Sequence, residues 1–212
     1  MKIEQIYTGC LAQGAYYVVS GNEAFIIDPL REIQPYLDRI EADGVKLKYI
    51  FETHFHADFV SGHLDLSKQT GAPIVYGPTA KTEFEAIIAT DGQIFEIGKI
   101  KIKVLHTPGH TMESSTFLLV NEQGKEEAIF SGDTLFLGDV GRPDLAQKAA
   151  DMTQDQLAGM LYDSLMTKIM PLADDVTVYP AHGAGSACGK NMMKETVDTL
   201  GNQKKMNYAL NQ

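Results

Sequence analysis

The twelve residues ETHFHADFVSGH, Glu52 to His63, hold three of the chain's six histidines and two acids, directly after the apolar run Leu47 to Phe51. The remaining imidazoles are as concentrated: His106 and His110 share HTPGH, and His182 sits in YPAHG. In an extended segment residues i, i+2 and i+4 point to one side, so His54, His56 and Asp58 can present two imidazoles and a carboxylate together at a strand's exit. Neutral imidazole and carboxylate are the ligands that divalent zinc and iron accept. Asp133, in SGD directly after a predicted strand, adds another carboxylate. Each piece has a structural reading when taken alone. Asp58 can be the N-cap of a helix starting near Phe59, with His63 inside that helix; His106 can be an ordinary strand-end histidine, and TPG a turn. Taken together they read as a metal site.

Elements must bring these segments to one place. Runs rich in Val, Ile, Tyr and Phe predict strands at residues 2–8, 15–20, 23–28, 47–53, 72–77, 101–107, 115–120, 127–132 and 175–180. Apolar positions at helical spacing predict helices within 31–44, 58–71, 152–170 and 188–201, three of which end at Gly. The class is α+β and strand-rich. YIFETHFHAD in the first half and AIFSGDTLF in the second each pass from an apolar strand into a polar turn, which suggests two similar half-sheets facing each other.

Composition bounds the rest. A chain of 212 residues with 44% apolar content suits one domain, residues 1–212, and no apolar run approaches the ~20 residues a membrane span needs. No secretory signal is visible at the N-terminus, and the two cysteines, Cys10 and Cys188, are too few for a disulfide framework, so a cytoplasmic protein is expected. A single bridge between them stays open. The net charge of −10 with dispersed Lys and Arg argues against a nucleic-acid surface.

THFHAD, HTPGH, SGD and YPAHG, in this order, resemble the metal-binding motifs of the metallo-β-lactamase superfamily. The resemblance covers nearly the whole chain and implies an αββα sandwich, two facing mixed sheets with helices outside and the metal at one edge. Superfamily membership does not fix the reaction, since lactamases, thioesterases, lactonases, nucleases and oxygenases share the site. Here the two-zinc thioesterase pattern THxHxDH is broken: Phe59 stands at the final histidine, and an aromatic carbon ring has no lone pair to give. A second metal could draw only on Asp58, His182 and a bridging Asp133, and that second site is expected to be weak or empty.

THFHADFVSGH, LHTPGHTMESS, FSGDTLFLGDVGRPDLA and YPAHGAGSACGK resemble the persulfide dioxygenases, especially the branch in which this domain is joined to rhodanese domains. That resemblance implies one Fe(II) held by His54, His110 and Asp133, with His56, Asp58 and His182 orienting ligands and waters or adding a ligand. It implies oxidation of a low-molecular-weight thiol persulfide, on glutathione, coenzyme A or a similar carrier, by O2 to sulfite and the thiol, in sulfide detoxification. Zinc, lacking redox chemistry, could substitute in the site but not in this reaction. The runner-up is a zinc-dependent hydrolase of the glyoxalase II type in which His56 also ligates, and a third reading is a non-catalytic sulfur-carrier or structural metal module. The branch continues into rhodanese domains from about the point where this sequence stops. Expected partners are therefore the persulfide, O2, a rhodanese partner or domain and further copies in a homo-oligomer.

Other residues carry two readings each. GDVGRPD lacks the GK[ST] element of a phosphate loop and suits a loop at the site mouth, where Arg142 either meets substrate carboxylates or pairs with Asp144. Cys188, expected near a helix start where a thiolate is favoured, is either a sulfur relay or a free buried cysteine, and Cys10 is the weaker candidate. Lys190 and Lys194 either contact an anionic thiol carrier or belong to a solvated face.

Overall fold

The protein is described over residues 1–211 from a computed structural model. The first half runs β1 (Lys2–Thr8), β2 (Gln13–Ser20), β3 (Glu23–Ile27), α1 (Gln34–Asp43), β4 (Lys46–Phe51), α2 (His63–Thr70), β5 (Ile74–Tyr76) and β6 (Ile87–Ile88). The second half runs β7 (Ile94–Ile97), β8 (Ile100–His106), β9 (Ser115–Val120), β10 (Glu126–Gly132), α3 (Gln147–Ala150), α4 (Gln154–Ser164), β11 (Thr177–Pro180), β12 (Asp198–Thr199) and α5 (Leu200–Met206); a π-helical turn, Leu165–Ile169, extends α4. The strands form two six-stranded mixed sheets, ordered β1-β2-β3-β4-β5-β6 and β12-β11-β10-β9-β8-β7.

The sequence pattern explains the layering. In β8, Ile100, Ile102 and Val104 alternate with exposed Lys101 and Lys103, so the apolar residues enter the core between the sheets and that part of the outer face stays wet. β2 and β3 are buried on both faces. Their inner residues Val18, Phe25 and Ile27 meet Phe117 and Phe130 across the sandwich, and Phe51 and Phe117 lie with ring centroids 4.9 Å apart. Each such buried ring contributes roughly 1.5–3 kcal/mol of burial free energy. Outside the first sheet Tyr36 of α1 and Leu66 of α2 cover Ile26 and Ile50; outside the second, Leu161 of α4, the π-helical turn and Leu200 cover Leu118 and Ile129. The expected αββα sandwich is the fold observed.

Local signals set the helix ends. Pro35 opens α1, and Thr153 begins α4 with a capping box to Gln156. Two expected helices are corrected. The helix anticipated from Asp58 begins only at His63, because residues 52–62 are fastened to the loop after β3: Gly62 N–H donates to the Pro29 carbonyl, and Leu30 and Ser61 form a bridge. Asp58 therefore caps no helix. The helix anticipated over 188–201 is replaced by irregular chain followed by β12 and α5. Asp139 is the cause, since its Oδ2 accepts the Lys190 and Asn191 N–H groups at 2.6 and 2.7 Å and holds that backbone away from helical partners. β6 and β12, two residues each, are too short to show periodicity in sequence.

Asp139 also accepts from Val140 N–H and the Tyr208 hydroxyl, so four donors depend on one carboxylate. Asp139→Ala should lower unfolding stability by about 2–3 kcal/mol and open residues 188–191 to proteolysis. An unchanged melting temperature and digestion pattern would contradict this role.

Candidate metal centre

Four chain segments reach one edge of the sandwich from the ends of strands: 53–58 after β4, 107–114 between β8 and β9, 133 onward after β10, and 181–188 after β11. β10 and β11 run parallel, so their exits lie side by side and place Asp133 next to His182. Two glycines permit the close approach. Gly132 has φ +54°, and a Cβ there would lie 2.7 Å from Thr53 side-chain atoms; a Cβ on Gly141 would lie 2.0 Å from the Asp133 carbonyl oxygen and 3.0 Å from His110 Nδ1.

His54, His110 and Asp133 are all buried and offer ligand atoms within 4.8 Å of one another. Asp133 Oδ2 lies 3.7 Å from His54 Nε2 and 3.4 Å from His110 Nε2. It is shut off from solvent and makes no hydrogen bond. The Nδ1 partners decide which ring nitrogens are free. His110 Nδ1 lies 3.0 Å from the Arg142 carbonyl, which can only accept, so Nδ1 carries the proton and Nε2 the lone pair. The Thr53 hydroxyl gives its proton to Asp28 Oδ2 at 2.7 Å, so at 3.0 Å it accepts from His54 Nδ1–H and again frees Nε2. Burial, aided by the neighbouring His56, holds the His54 pKa well below its ordinary value, which keeps the ring neutral. Burial opposes ionisation of Asp133, but the surrounding imidazoles, His182 first, outweigh it and hold the carboxyl well below its usual range. Two imidazole Nε2 atoms and an orphaned carboxylate oxygen at this spacing fit a divalent cation with bonds of about 2.0–2.2 Å.

The other oxygen of Asp133 is engaged: Oδ1 meets His182 Nδ1 at 2.8 Å, and His182 Nε2 meets Asp58 Oδ2 at 2.8 Å. Burial of His182 disfavours its charge, but the two carboxylates prevail and push its pKa up to about 10. Asp58, His182 and Cys188 form a second group whose ligand atoms lie within 4.8 Å of one another. The expectation of a thiolate-favouring helix start at Cys188 is corrected, because no helix begins there. Burial and the nearby Asp133 push the Cys188 thiol up to about 12.

His56 stands outside the first trio. Its Nε2 lies 3.1 Å from Asp28 Oδ1 and 3.4 Å from Glu52 Oε2, and its ring stacks on Phe59 with centroids 4.3 Å apart. Burial opposes protonation of His56, yet the two buried acids raise its pKa well above the ordinary value. A protonated imidazole has no lone pair for a metal. Asp28 and Glu52 were not singled out in the sequence. The available signal was an acid at the inner end of each apolar run, EAFIID and YIFE. His63 opens α2 with Nδ1 3.2 Å from Glu52 Oε1. His106 ends β8 beside the Met112 carbonyl, as a strand-end histidine.

At the mouth, Arg142 grips Asp144 with two nitrogens at 3.0 and 2.6 Å, so the salt-bridge alternative holds in this structure and its link to the centre is its main-chain carbonyl. Lys190 and Lys194 are exposed, as is Cys10, and both cysteines are free. A cavity of 280 Å³ opens onto His54, His110, Asp58 and Cys188. No helix among the described residues is long and apolar enough to cross a membrane.

Comparison with known proteins places this geometry. The chain is 33% identical to a hydroxyacylglutathione hydrolase of Francisella philomiragia over 198 residues, 93% of this chain and 71% of the relative. It is 32% identical to the enzyme of that name from Pelagibacter ubique over 178 residues, 82% and 68% of the two chains. A crystal structure described as a metallo-beta-lactamase from Staphylococcus aureus matches with a TM-score of 0.90 and 33% identity, covering all of this chain and 63% of that one. ETHE1 from Myxococcus xanthus matches with a TM-score of 0.82 and 26% identity, covering 98% and 84%. The metallo-beta-lactamase superfamily model matches residues 8–182, and the chain belongs to that superfamily.

Proposed function

We propose that the protein is a non-haem Fe(II) dioxygenase acting on low-molecular-weight thiol persulfides, with His54, His110 and Asp133 as the ligands of one metal ion. The observation that carries this reading is the position of His56. Its Nε2 sits between Asp28 and Glu52 with Phe59 stacked on the ring, which leaves two imidazoles and one carboxylate at the centre. Three protein ligands on one face leave coordination positions for substrate and O2, the arrangement of the 2-His-1-carboxylate oxygenases. The likeness to ETHE1 supports the same side.

Ferrous iron bound there would supply oxygen activation next to the substrate sulfur. The reaction balances as RSSH + O2 + H2O giving RSH and sulfurous acid, which ionises to sulfite. The chain's own residues prepare the site. Thr53 and the Arg142 carbonyl fix the two imidazole tautomers, and the charged His182 holds Asp133 through Oδ1 so that Oδ2 stays turned inward. Phe55, Met112 and Leu145 give the cavity an apolar wall. Cys188 lines the same cavity, where a substrate sulfur could reach it as a relay. Sulfide detoxification in the cytoplasm, with a rhodanese partner or domain and self-association, completes the proposal.

A second reading, a zinc thioester hydrolase, draws on the hydroxyacylglutathione hydrolase relatives and on the group formed by Asp58, His182 and Cys188, which could take a second ion. Phe59 and the captive His56 count against it.

Protein reconstituted anaerobically with Fe(II) should contain about one iron per chain and consume O2 with a thiol persulfide to give sulfite, while zinc-loaded protein should not. Thioester hydrolysis by the zinc form, with no O2 uptake by the ferrous form, would overturn the proposal in favour of the hydrolase. His110→Ala should lose both metal and turnover, whereas Cys188→Ser should keep its metal; full iron occupancy in His110→Ala would refute the ligand assignment. Thr53→Val, which frees the His54 ring, should weaken metal affinity by roughly 10–100-fold, read by competition with a chelator.

A further inference from the structure

The cavity over the metal centre limits the thiol that can enter it. Its outer wall is made by Phe55, Ala57, Met112, Leu145, Ala149 and Ala150. Phe55 and Leu145 are 38% and 52% exposed, so they form an apolar rim. At 280 Å³ the cavity lies near the lower end of small-molecule pockets, which run from about 300 to 1,000 Å³.

Its charged lining has one sign apart from the histidines. Asp58 and Glu113 line it, and among the described residues no Lys or Arg does. Arg142, three residues before Leu145, is held by Asp144 through two nitrogens, and Lys148, next to Ala149, is exposed and outside the lining. Lys190 is exposed and absent from the lining. Glu113 cannot swing away freely, because its Oε1 accepts the Phe55 N–H at 2.9 Å. An acidic carrier held within the cavity would therefore bring its carboxylates against Glu113 and against Asp58, whose Oδ2 is already taken by the charged His182, with no lysine or arginine in the lining to receive them.

We infer that the site selects thiols on uncharged, largely apolar carriers, of alkyl or pantetheine type, over acidic peptidyl thiols such as glutathione. The inference rests on the proposed reading for the reactive group, a persulfide, and on the cavity walls alone for the carrier. Selection arises because the apolar rim buries a neutral arm while the carboxylates repel an anionic one; all these thiols offer the same sulfur to the metal.

Calorimetric titration of the anaerobic, metal-loaded protein with pantetheine, n-butanethiol and glutathione tests it. The neutral thiols should bind roughly tenfold or more tightly than glutathione at low salt, as like-charge juxtaposition predicts, and the gap should shrink at high salt. Glu113→Gln keeps the acceptor for Phe55 N–H and removes the charge, so it should narrow the gap severalfold; Ala150→Lys should narrow it further by adding a cation. Glutathione binding as tightly as pantetheine to the native protein, or a gap untouched by both substitutions, would overturn the inference. Selective binding of neutral thiols without O2 uptake on their persulfides would leave the carrier inference standing and remove the dioxygenase proposal.

Discussion

The structure turns on a buried carboxylate. Asp133 is 1% exposed and among the described residues has no lysine or arginine beside it, so its charge is balanced by His182 at one oxygen, while the other faces the imidazoles of His54 and His110. A carboxylate in that position is strongly unfavourable unless it is paired. The charged His182 supplies one partner, and the oxygen left without a hydrogen bond faces the Nε2 atoms of His54 and His110. The packing of both sheets keeps this arrangement dry, and the parallel exits of β10 and β11 keep its two halves in register.

A second buried charge system lies behind the first. Asp28 and Glu52 flank His56, and Asp28 also accepts from Thr53, whose hydroxyl orients His54. One carboxylate thus withdraws one histidine from the centre and, through a threonine, presents another. This is why neighbouring histidines two residues apart do different work. Stacking on Phe59 adds to the hold on His56 at the position where the two-zinc pattern carries a histidine.

Much of the site could be read from sequence because metal ligands are rare residue types at strand ends, and the chain's six histidines fall in a few short segments. The strands were legible because apolar residues crowd or alternate along them, as in KIKVLH. The segment 188–201 misled because its apolar spacing suits a helix, while the acceptor that prevents one, Asp139, lies some fifty residues earlier. Arg142 had two readings for a different reason: even with Asp144 two residues away, a guanidinium looks equally free in sequence whether or not that neighbour has taken it.

The sequence by itself determined the strand-rich α+β class, the set of candidate ligands and the loss of the final histidine at Phe59, since these depend on residue type and local period. Only the tertiary structure decided which nitrogen of each imidazole is free, that His56 faces Asp28 and Glu52, and that the cavity wall carries carboxylates without a cation. Those outcomes depend on atoms a few ångströms apart in space and often tens of residues apart in the chain. Coulomb energy and hydrogen-bond direction are set by that spatial distance and orientation, which local pattern does not contain.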